Sequence, residues 1–236
     1  QLTLSADQYL EVAVEQRGID VTITLNGPDG RRLAQFDNDS RPQGRESVTH
    51  IATTNGNHPL IVEAKQKDAP EGSYEIKLIV LRPATAQDRA LQEARRLNDE
   101  ATPLITARKF DDALALMQRV LTIRERELGT QHDDLASALH RLATIYRDKN
   151  DSAQAEPLYL RAIAIAEKTP APGHPGLGLM YLDLGALFFN NKSDYIQAQV
   201  QFQRALTTWE QTLGSNHPDV GRSVAAIGNV FVKRGE

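Results

Sequence analysis

The chain repeats itself at an interval of 42 or 43 residues, and this period restricts its fold more than any other feature. The phrases ELGTQHDDLAS and TLGSNHPDVGR begin at Glu127 and Thr212. His132, His174 and His217 are 42 and 43 residues apart. The same intervals separate three further sets: Ala113, Ala155 and Ala198; Val120, Ala162 and Ala205; Ala143, Gly185 and Gly228. Self-similarity at such a period is typical of stacked supersecondary units.

Within each unit the apolar residues predict two helices joined by a turn. The second unit turns at DKND, which begins at Asp148. Apolar residues recur every three or four positions on both sides of it, at Leu139, Leu142, Ala143 and Tyr146, then at Ala155, Tyr159 and Ala162. This spacing places them on one face of each helix. The small members of the pattern predict close helix contacts, including one at Gly185, and the lone Trp209 is expected to pack between repeats.

The pattern resembles the tetratricopeptide repeat, in the 42-residue form of kinesin light chains and many bacterial proteins. The matching phrases are AEPLYLRAI from Ala155 and LGSNHPDV from Leu213. The predicted units are about 88–129, 133–170 and 174–214, with a partial unit at 217–236. The resemblance implies an α-α superhelical solenoid that binds proteins or peptides in a groove lined by the first helix of each unit. The groove positions that it implies are Arg95, Asn98 and Thr102; His140, Thr144 and Arg147; Leu182, Ala186 and Phe189; Arg222, Ala225 and Asn229.

Residues 1–84 follow a different period and predict a separate β domain before the helical region at 85–236. Apolar and polar residues alternate from Leu10 to Val14, from Val21 to Leu25, from Leu60 to Ala64 and from Tyr74 to Val80. Such alternation is typical of antiparallel strands with one face on a core, whereas the pattern between 32 and 52 is poor. The expected fold class is therefore α+β in two domains: a small antiparallel sandwich or jelly roll, then the solenoid. Thr85 and Asp88 form a capping pattern where the helical period begins.

The three histidines have two interpretations. They could be metal ligands, or they could mark the helix starts, as the order His217, Pro218, Asp219 favours. One histidine per unit would be spread along the stack, about 10 Å apart by helix-packing distances, which is too far for shared coordination. We therefore predict that the three histidines mark helix starts rather than bind a metal. We also predict no cofactor. The sequence DNDS at Asp37 could bind Ca²⁺, but a solvated turn is the preferred interpretation because the ligand spacing of a calcium loop is missing.

Composition excludes several classes of function. The net charge of −4 does not suit nucleic-acid binding. The absence of cysteine excludes disulfides and thiolate chemistry within these residues. The sequence contains no serine-hydrolase elbow, no zinc-protease motif and no phosphate-binding P-loop. We therefore predict a chain that is not itself an enzyme.

The first half carries a second resemblance. YLEVAVEQRGIDVTITLNGPDGRRL from Tyr9 and GSYEIKLIVLRPATAQDR from Gly72 resemble the prepeptidase-like β domain that precedes the repeats in bacterial CHAT proteins (caspase-HetF-associated with TPRs). There a caspase-like protease domain follows the repeats. The resemblance implies a regulatory fragment of a longer protein, and an exported or periplasmic bacterial location.

Three hypotheses of function follow. The leading one is a non-catalytic module whose groove recruits or senses a protein or peptide, which the arginines and asparagines would suit if it is acidic. The alternative is carbohydrate or cell-surface binding by the β domain, for which Tyr9, Phe36 and Tyr74 are the available aromatics. The third, intrinsic enzymatic activity, is not favoured. The last helix carries an apolar stripe at Val224, Ile227 and Phe231, which we expect either to pair with another copy of the chain or to be covered in a longer parent protein.

Overall fold

The chain divides into two compact units, Gln1–Gln92 and Glu93–Glu236. The computed structural model describes residues 2–37, 43–65, 71–170, 173–174 and 176–235.

Unit 1 is built from antiparallel strands. In the described part these are β1 (Leu2–Leu4), β2 (Gln8–Arg17), β3 (Val21–Asn26), β4 (Arg32–Phe36), β5 (Gln43–Ile51), β6 (Gly56–His58), β7 (Leu60–Ala64) and β8 (Ser73–Pro83). They form two three-stranded sheets, ordered β5-β2-β8 and β4-β3-β7, and a short β1-β6 pair. Leu10, Val12 and Val14 from one sheet and Ile23 and Leu25 from the other lie in one buried cluster. The predicted antiparallel β region is confirmed.

Strand β5 lies in the segment where the sequence pattern was poor. It pairs with β2 along its whole length, and Val48 opposite Val12 is fully buried. The residues two positions away on the same face are Glu46 and His50, so this face reads polar, apolar, polar. The alternation of apolar and polar residues that predicts a strand is therefore absent from β5, because polar residues lie on its core-facing side.

Strand β8 departs from the prediction in its burial. Tyr74, Ile76 and Leu78 pair with Gln16, Val14 and Val12 of β2, so they share the core-facing side of that sheet. They are nevertheless about half exposed, because β8 is an edge strand. Alternation predicted the strand correctly, but its position in the sheet leaves the apolar face only partly covered.

The first helix starts with the predicted capping arrangement. Thr85 donates to the Asp88 carboxylate from its backbone N–H and from its hydroxyl, both at 2.7 Å, and the Asp88 N–H donates back to Thr85 Oγ1 at 3.2 Å. Arg82 pairs with the same carboxylate, whose side chain is 8% exposed. The hydrogen bond from Arg82 is the main reason why the pKa of Asp88 is well below its ordinary value.

Replacing Asp88 by asparagine should lower the stability of unit 1 by about 1 kcal/mol, the usual cost of a lost helix cap. Because the folded pKa of Asp88 is lowered, its stabilising contribution is complete above the unfolded pKa and is lost as the pH falls through the folded value. Urea unfolding at neutral and acidic pH measures both effects. The difference between wild type and Asp88→Asn should shrink in acid; a constant difference would contradict this role.

Helices make up the rest of the described chain. They are α1 (Ala86–Thr106), α2 (Phe110–Leu128), α3 (Asp133–Asp148), α4 (Ser152–Ala166), α5 (Leu177–Ala186), α6 (Tyr195–Leu213) and α7 (Pro218–Arg234). Successive helices from α2 to α7 contact each other. The predicted small residues lie where helices meet: Ala143, Ala155 and Ala162 are fully buried around Tyr159. The hairpins therefore bury their apolar stripes against one another, as stacked repeats do.

The predicted close contact at Gly185 is present. A Cβ atom on this residue would lie 2.5 Å from two ring atoms of Phe202 and 3.3 Å from the carbonyl oxygen of Ala198. Trp209 is also packed as expected, since it is 4% exposed. Only glycine lets α5 and α6 approach this closely at Gly185.

Candidate binding surface

His132 and His217 cap the first helix of their units with a ring nitrogen. Nδ1 of His132 accepts a hydrogen bond from the N–H of Asp134 at 3.1 Å, and Nδ1 of His217 accepts one from Asp219 at 3.2 Å. Pro218 occupies the first turn of α7 beside its cap. His174 accepts from the N–H of Gly176 at 3.0 Å, and burial lowers its pKa. His132 and His217 are thus N-caps that satisfy a backbone donor at a helix start, so the helix-start prediction is confirmed for these two, whereas the N-cap residue of α5 is Gly176.

A π-helical turn explains why the period changes from 42 to 43 residues. Ala143 and Ala155 are 12 residues apart, whereas Gly185 and Ala198 are 13 residues apart. The π-helical turn Leu187–Asn191 lies within this longer interval. A π turn accommodates one inserted residue without breaking the helix. The insertion turns Phe189 toward the next helix, where its ring centroid is 5.4 Å from that of Tyr195 and 6.5 Å from that of Phe202.

Asp183 joins the implied groove positions of α3 to helix α5. Its Oδ2 lies 2.8 Å from Nε2 of His140, and its Oδ1 accepts from Nη1 of Arg147 at 2.6 Å. The side chains of Arg147 and Asp183 are each 18% exposed. The guanidinium is also paired with Asp148 at 3.1 Å. Consequently the charge of Arg147 is compensated inside the protein.

The electrostatics of this cluster follow from burial and pairing. Burial alone would raise the pKa of Asp183, but the hydrogen bond from His140 and the charge of Arg147 hold it below its ordinary value. Burial alone would lower the pKa of Arg147, but the Asp183 carboxylate raises it. Tyr159 donates to the hydroxyl of Thr144 at 3.1 Å, and its burial raises its pKa. The cluster is therefore a closed polar network at neutral pH.

Sequence reasoning missed Asp183, although a signal for it exists. Asp183 is one repeat after Arg141, in the position next to the implied groove residue. A carboxylate there lies on the first helix of the next repeat after His140 and Arg147, which are the residues it contacts. Comparing charges between adjacent units, rather than within one helix, would have revealed the pairing.

The other implied groove residues have varied surroundings. On α1, the hydroxyl of Thr102 accepts from Arg141 at 2.5 Å and donates to the carbonyl of Asn98 at 3.2 Å, while Arg95 is half-buried. Leu182 of α5 and Phe189 of the π-helical turn that follows it are half-buried against the core, and Ala186 is also half-buried. On α7, Arg222 is exposed and bonds to Asp219 at 2.7 Å, and both Ala225 and Asn229 are exposed. Exposure among these positions is thus greatest on α7.

The remaining candidate sites give no competing chemistry in the described residues. Asp37 accepts from Lys65 at 2.9 Å, and the rest of the DNDS sequence, 38–40, lies outside the described residues. Within the described ranges no three histidine, aspartate or glutamate side chains are grouped to hold a metal ion. Across those ranges, too, no helix has the length and apolar character needed to cross a membrane.

Comparison with known proteins supports the repeat assignment. Tetratricopeptide repeat families match residues 104–168 and 177–219. No curated protein matches the chain.

Among solved structures, BtubC (BKLC) from P. vanneervenii is similar with a TM-score of 0.55 and 22% identity, over 60% of this chain and 56% of that one. A putative kinesin light chain with nearly identical TPR-like repeats from Podosopora anserina has a TM-score of 0.52 and 19% identity, over 64% of this chain and 71% of that one. A single-residue variant of that protein has a TM-score of 0.53.

These likenesses concern the fold of the helical half. The chain spans 56% of the length of BtubC, and identities near 20% indicate shared architecture only. The repeat columns, the packed helical hairpins and the two family matches agree with one another. The helical half of this chain is therefore built from tetratricopeptide repeats with kinesin-light-chain-like structural neighbours.

Proposed function

We propose that unit 2 is a non-catalytic binding module that holds a protein or peptide segment along the first helices of its repeats. The observation that carries this proposal is the run of tetratricopeptide repeats over 104–168 and 177–219, since such repeats are generally protein-interaction modules. Solenoids of this kind build extended binding surfaces by stacking. The binding surface consists of the implied groove residues on α1, α3, α5 and α7.

The chemistry of this surface favours an extended peptide with mixed polar and apolar side chains. Leu182 and Phe189 are half-buried apolar residues, and Asn229 is an exposed amide. Amide side chains can both donate to and accept from a peptide backbone. Arg147 and Arg222 already have carboxylate partners, so an acidic ligand would have to compete with Asp183 and Asp219. We therefore favour backbone recognition over recognition of charge alone.

A bulky substitution at Asn229 should abolish partner capture without unfolding the chain. The chain is immobilised and its bound proteins are quantified by mass spectrometry for wild type, Asn229→Trp and Gln203→Trp. Gln203 is an exposed residue on α6, which is a second helix, so Gln203→Trp is the matched control. Partners retained by Gln203→Trp and lost by Asn229→Trp, at equal melting temperatures, support the proposal. Equal capture by both variants would refute it.

We also propose that this module regulates a caspase-like CHAT protease carried by the same polypeptide. The support is the order of the two units, with a β unit before the repeats, and the phrase YLEVAVEQRGIDVTITLNGPDGRRL. The parent sequence tests the proposal directly, since a segment with a histidine and cysteine dyad must follow the repeats. Where such a segment is present, the bound protein or peptide partner should alter its peptidase activity. The Asn229→Trp substitution should change this effect of the partner.

The structure gives little support to carbohydrate binding by the β unit. Of the three aromatic candidates, Phe36 is buried, and Tyr9 is half-buried with the guanidinium of Arg82 4.6 Å from its ring centre. Tyr74 is exposed, but a single exposed ring on an edge strand does not make a stacking platform.

A further inference from the structure

Strand β8 presents an open edge in the described part of unit 1. It lies at one side of the sheet β5-β2-β8, and every residue from Ser73 to Ile79 is exposed. Three of these residues, Tyr74, Ile76 and Leu78, share the core-facing side of the sheet, and they are 48%, 48% and 54% exposed. An exposed edge strand with an apolar face is a template for pairing with another strand. This edge is therefore a candidate interaction surface.

A β-bulge sets the length of the regular edge. The pairing of β8 with β2 changes register between Glu11 and Val12 of β2, with Ile79 as the extra residue of β8. A bulge disrupts the ladder locally and bends the strand that carries it. The regular edge therefore ends at Leu78, and residues 73–78 are available to a strand that pairs with it.

Two opposite charges flank the middle of this edge. Glu75 and Lys77 lie on either side of Ile76 and share the face of the sheet away from the core. Within the sheet Glu75 is opposite Glu15 of β2, and like charges in that arrangement are unfavourable. Arg17 and Lys77 lie 3.5 and 3.2 Å from the Glu75 carboxylate, but such exposed ion pairs stabilise little. The carboxylate of Glu75 would therefore gain from a cation on its open side.

We propose that β8 pairs antiparallel with β8 of a second copy of the chain, with Ile76 at the two-fold axis. Glu75 of each copy then lies opposite Lys77 of the other copy, and Tyr74 of each lies opposite Leu78. The register forms two pairs of opposite charge on one face and joins the apolar residues on the other, and both kinds of cross-strand pair are stabilising. A second copy is the partner that fits because this one short edge supplies both complementary halves.

Symmetry and charge exclude the neighbouring registers. A two-fold axis normal to the sheet keeps every side chain on its own face, and side chains alternate between the faces, so the axis must set one residue opposite its own copy. An axis at Glu75 or at Lys77 would set like charges opposite each other, which is destabilising. An axis at Tyr74 would leave both charges unmatched, and one at Leu78 would carry the pairing across the bulge. Ile76 is the position where charges and apolar residues both match.

The pairing is independent of the proposed groove function, since it concerns unit 1 alone. A contact between two short strands is smaller than the interface of a permanent dimer, so we expect a reversible dimer whose share rises with the concentration of the chain. Such a dimer would bring two copies of the repeat module into one particle. A partner with two binding segments would then be held with higher avidity than by one copy.

Exchange of the two charges tests the pairing by sedimentation of the complete chain. Glu75→Lys and Lys77→Glu each create two pairs of like charge across the axis, so each should weaken dimerisation by about tenfold or more. The double variant carrying both substitutions restores opposite charges in the same register and should restore the dimer, with melting temperatures as the control for folding. A monomeric wild type, a double variant that stays monomeric, or a dimer that the single variants leave unchanged would overturn the proposal. The last result would assign association to another surface, such as the apolar stripe of α7.

Engineered cysteines test the register, since the sequence contains no cysteine of its own. Opposite residues of antiparallel strands have Cα atoms about 4.5–5.5 Å apart, within the range of about 4.4–6.8 Å that a disulfide spans. Ile76→Cys should therefore give a disulfide-linked dimer on mild oxidation, seen by non-reducing gel electrophoresis. Tyr74→Cys is the matched control, because both residues are 48% exposed but the two copies of position 74 would lie about 13 Å apart along the strands. Equal trapping of the two variants, or no trapping of Ile76→Cys, would overturn the pairing.

Discussion

Replacing Gly185 by alanine is expected to destabilise unit 2 by up to about 2 kcal/mol, although alanine is ordinarily the better helix former. The added methyl group would lie 2.5 Å from the ring of Phe202, which is itself only 4% exposed, and 3.3 Å from a backbone carbonyl. Overpacking of this kind costs about 1–3 kcal/mol. The gain in helix propensity, about 1 kcal/mol, offsets part of that cost. Urea unfolding followed by circular dichroism measures the difference.

The matched variant is Gly228→Ala, in the same column one repeat later. Because nothing lies within 4 Å of the added carbon, the propensity gain should appear undiminished, as a stabilisation of about 0.5–1 kcal/mol. The same substitution in equivalent positions should therefore change stability in opposite directions. Two changes of the same sign would show that α5 and α6 do not approach as closely as the structure places them.

Replacing Asp183 by alanine is expected to cost about 3 kcal/mol, the usual effect of removing one partner of a buried ion pair. Arg147, which is 18% exposed, would keep only Asp148 as a carboxylate partner, and His140 would lose its contact at 2.8 Å. The positive charge would then remain in a poorly solvated position. The free energy of unfolding in urea reports this cost directly.

A double-mutant cycle with Arg147→Ala isolates the pair. The two single substitutions and their combination should show a coupling energy above about 1 kcal/mol, as directly contacting charged residues do. Additive effects would mean that Asp183 and Arg147 do not interact in solution.

Acid should weaken the same network. The folded pKa of Asp183 lies below its ordinary value, so its contribution to stability is complete above the unfolded pKa of about 3.9 and is lost as the pH falls through the folded pKa. Asp183→Asn cannot take up that proton. The stability difference between wild type and Asp183→Asn should therefore be largest at neutral pH and smaller in acid; an unchanged difference would exclude this carboxylate as the titrating group.

Helical periodicity was sufficient for the repeat region because its packing is local and recurrent. Each hairpin buries the same columns, so Ala143, Ala155 and Ala162 could be identified as contact residues from spacing alone. The histidine caps were predictable for a similar reason, since a cap acts on backbone groups two residues away. Short-range rules of this kind need no knowledge of the neighbouring element.

Contacts between different helices were harder to predict from the sequence. Asp183 is 43 residues from His140 and 36 from Arg147, and no rule within one helix connects them. The one-residue insertion after Gly185 was visible as a change of interval, but the π turn that redirects Phe189 was not. As a result, the sequence could indicate which side chains are candidates for the binding surface. It could not indicate which of them already pair with other side chains of the same protein.

The amino-acid pattern alone therefore determined the two periods and the small residues at which the helices meet, because these depend on which side of an element a residue lies. Tertiary structure decided how much of each face is covered. The core-facing side of β8 is half exposed because β8 is an edge strand, and Gly228 is open because none of the described residues lies against it. Burial depends on what lies opposite a residue, and periodicity along a single chain carries no information about that.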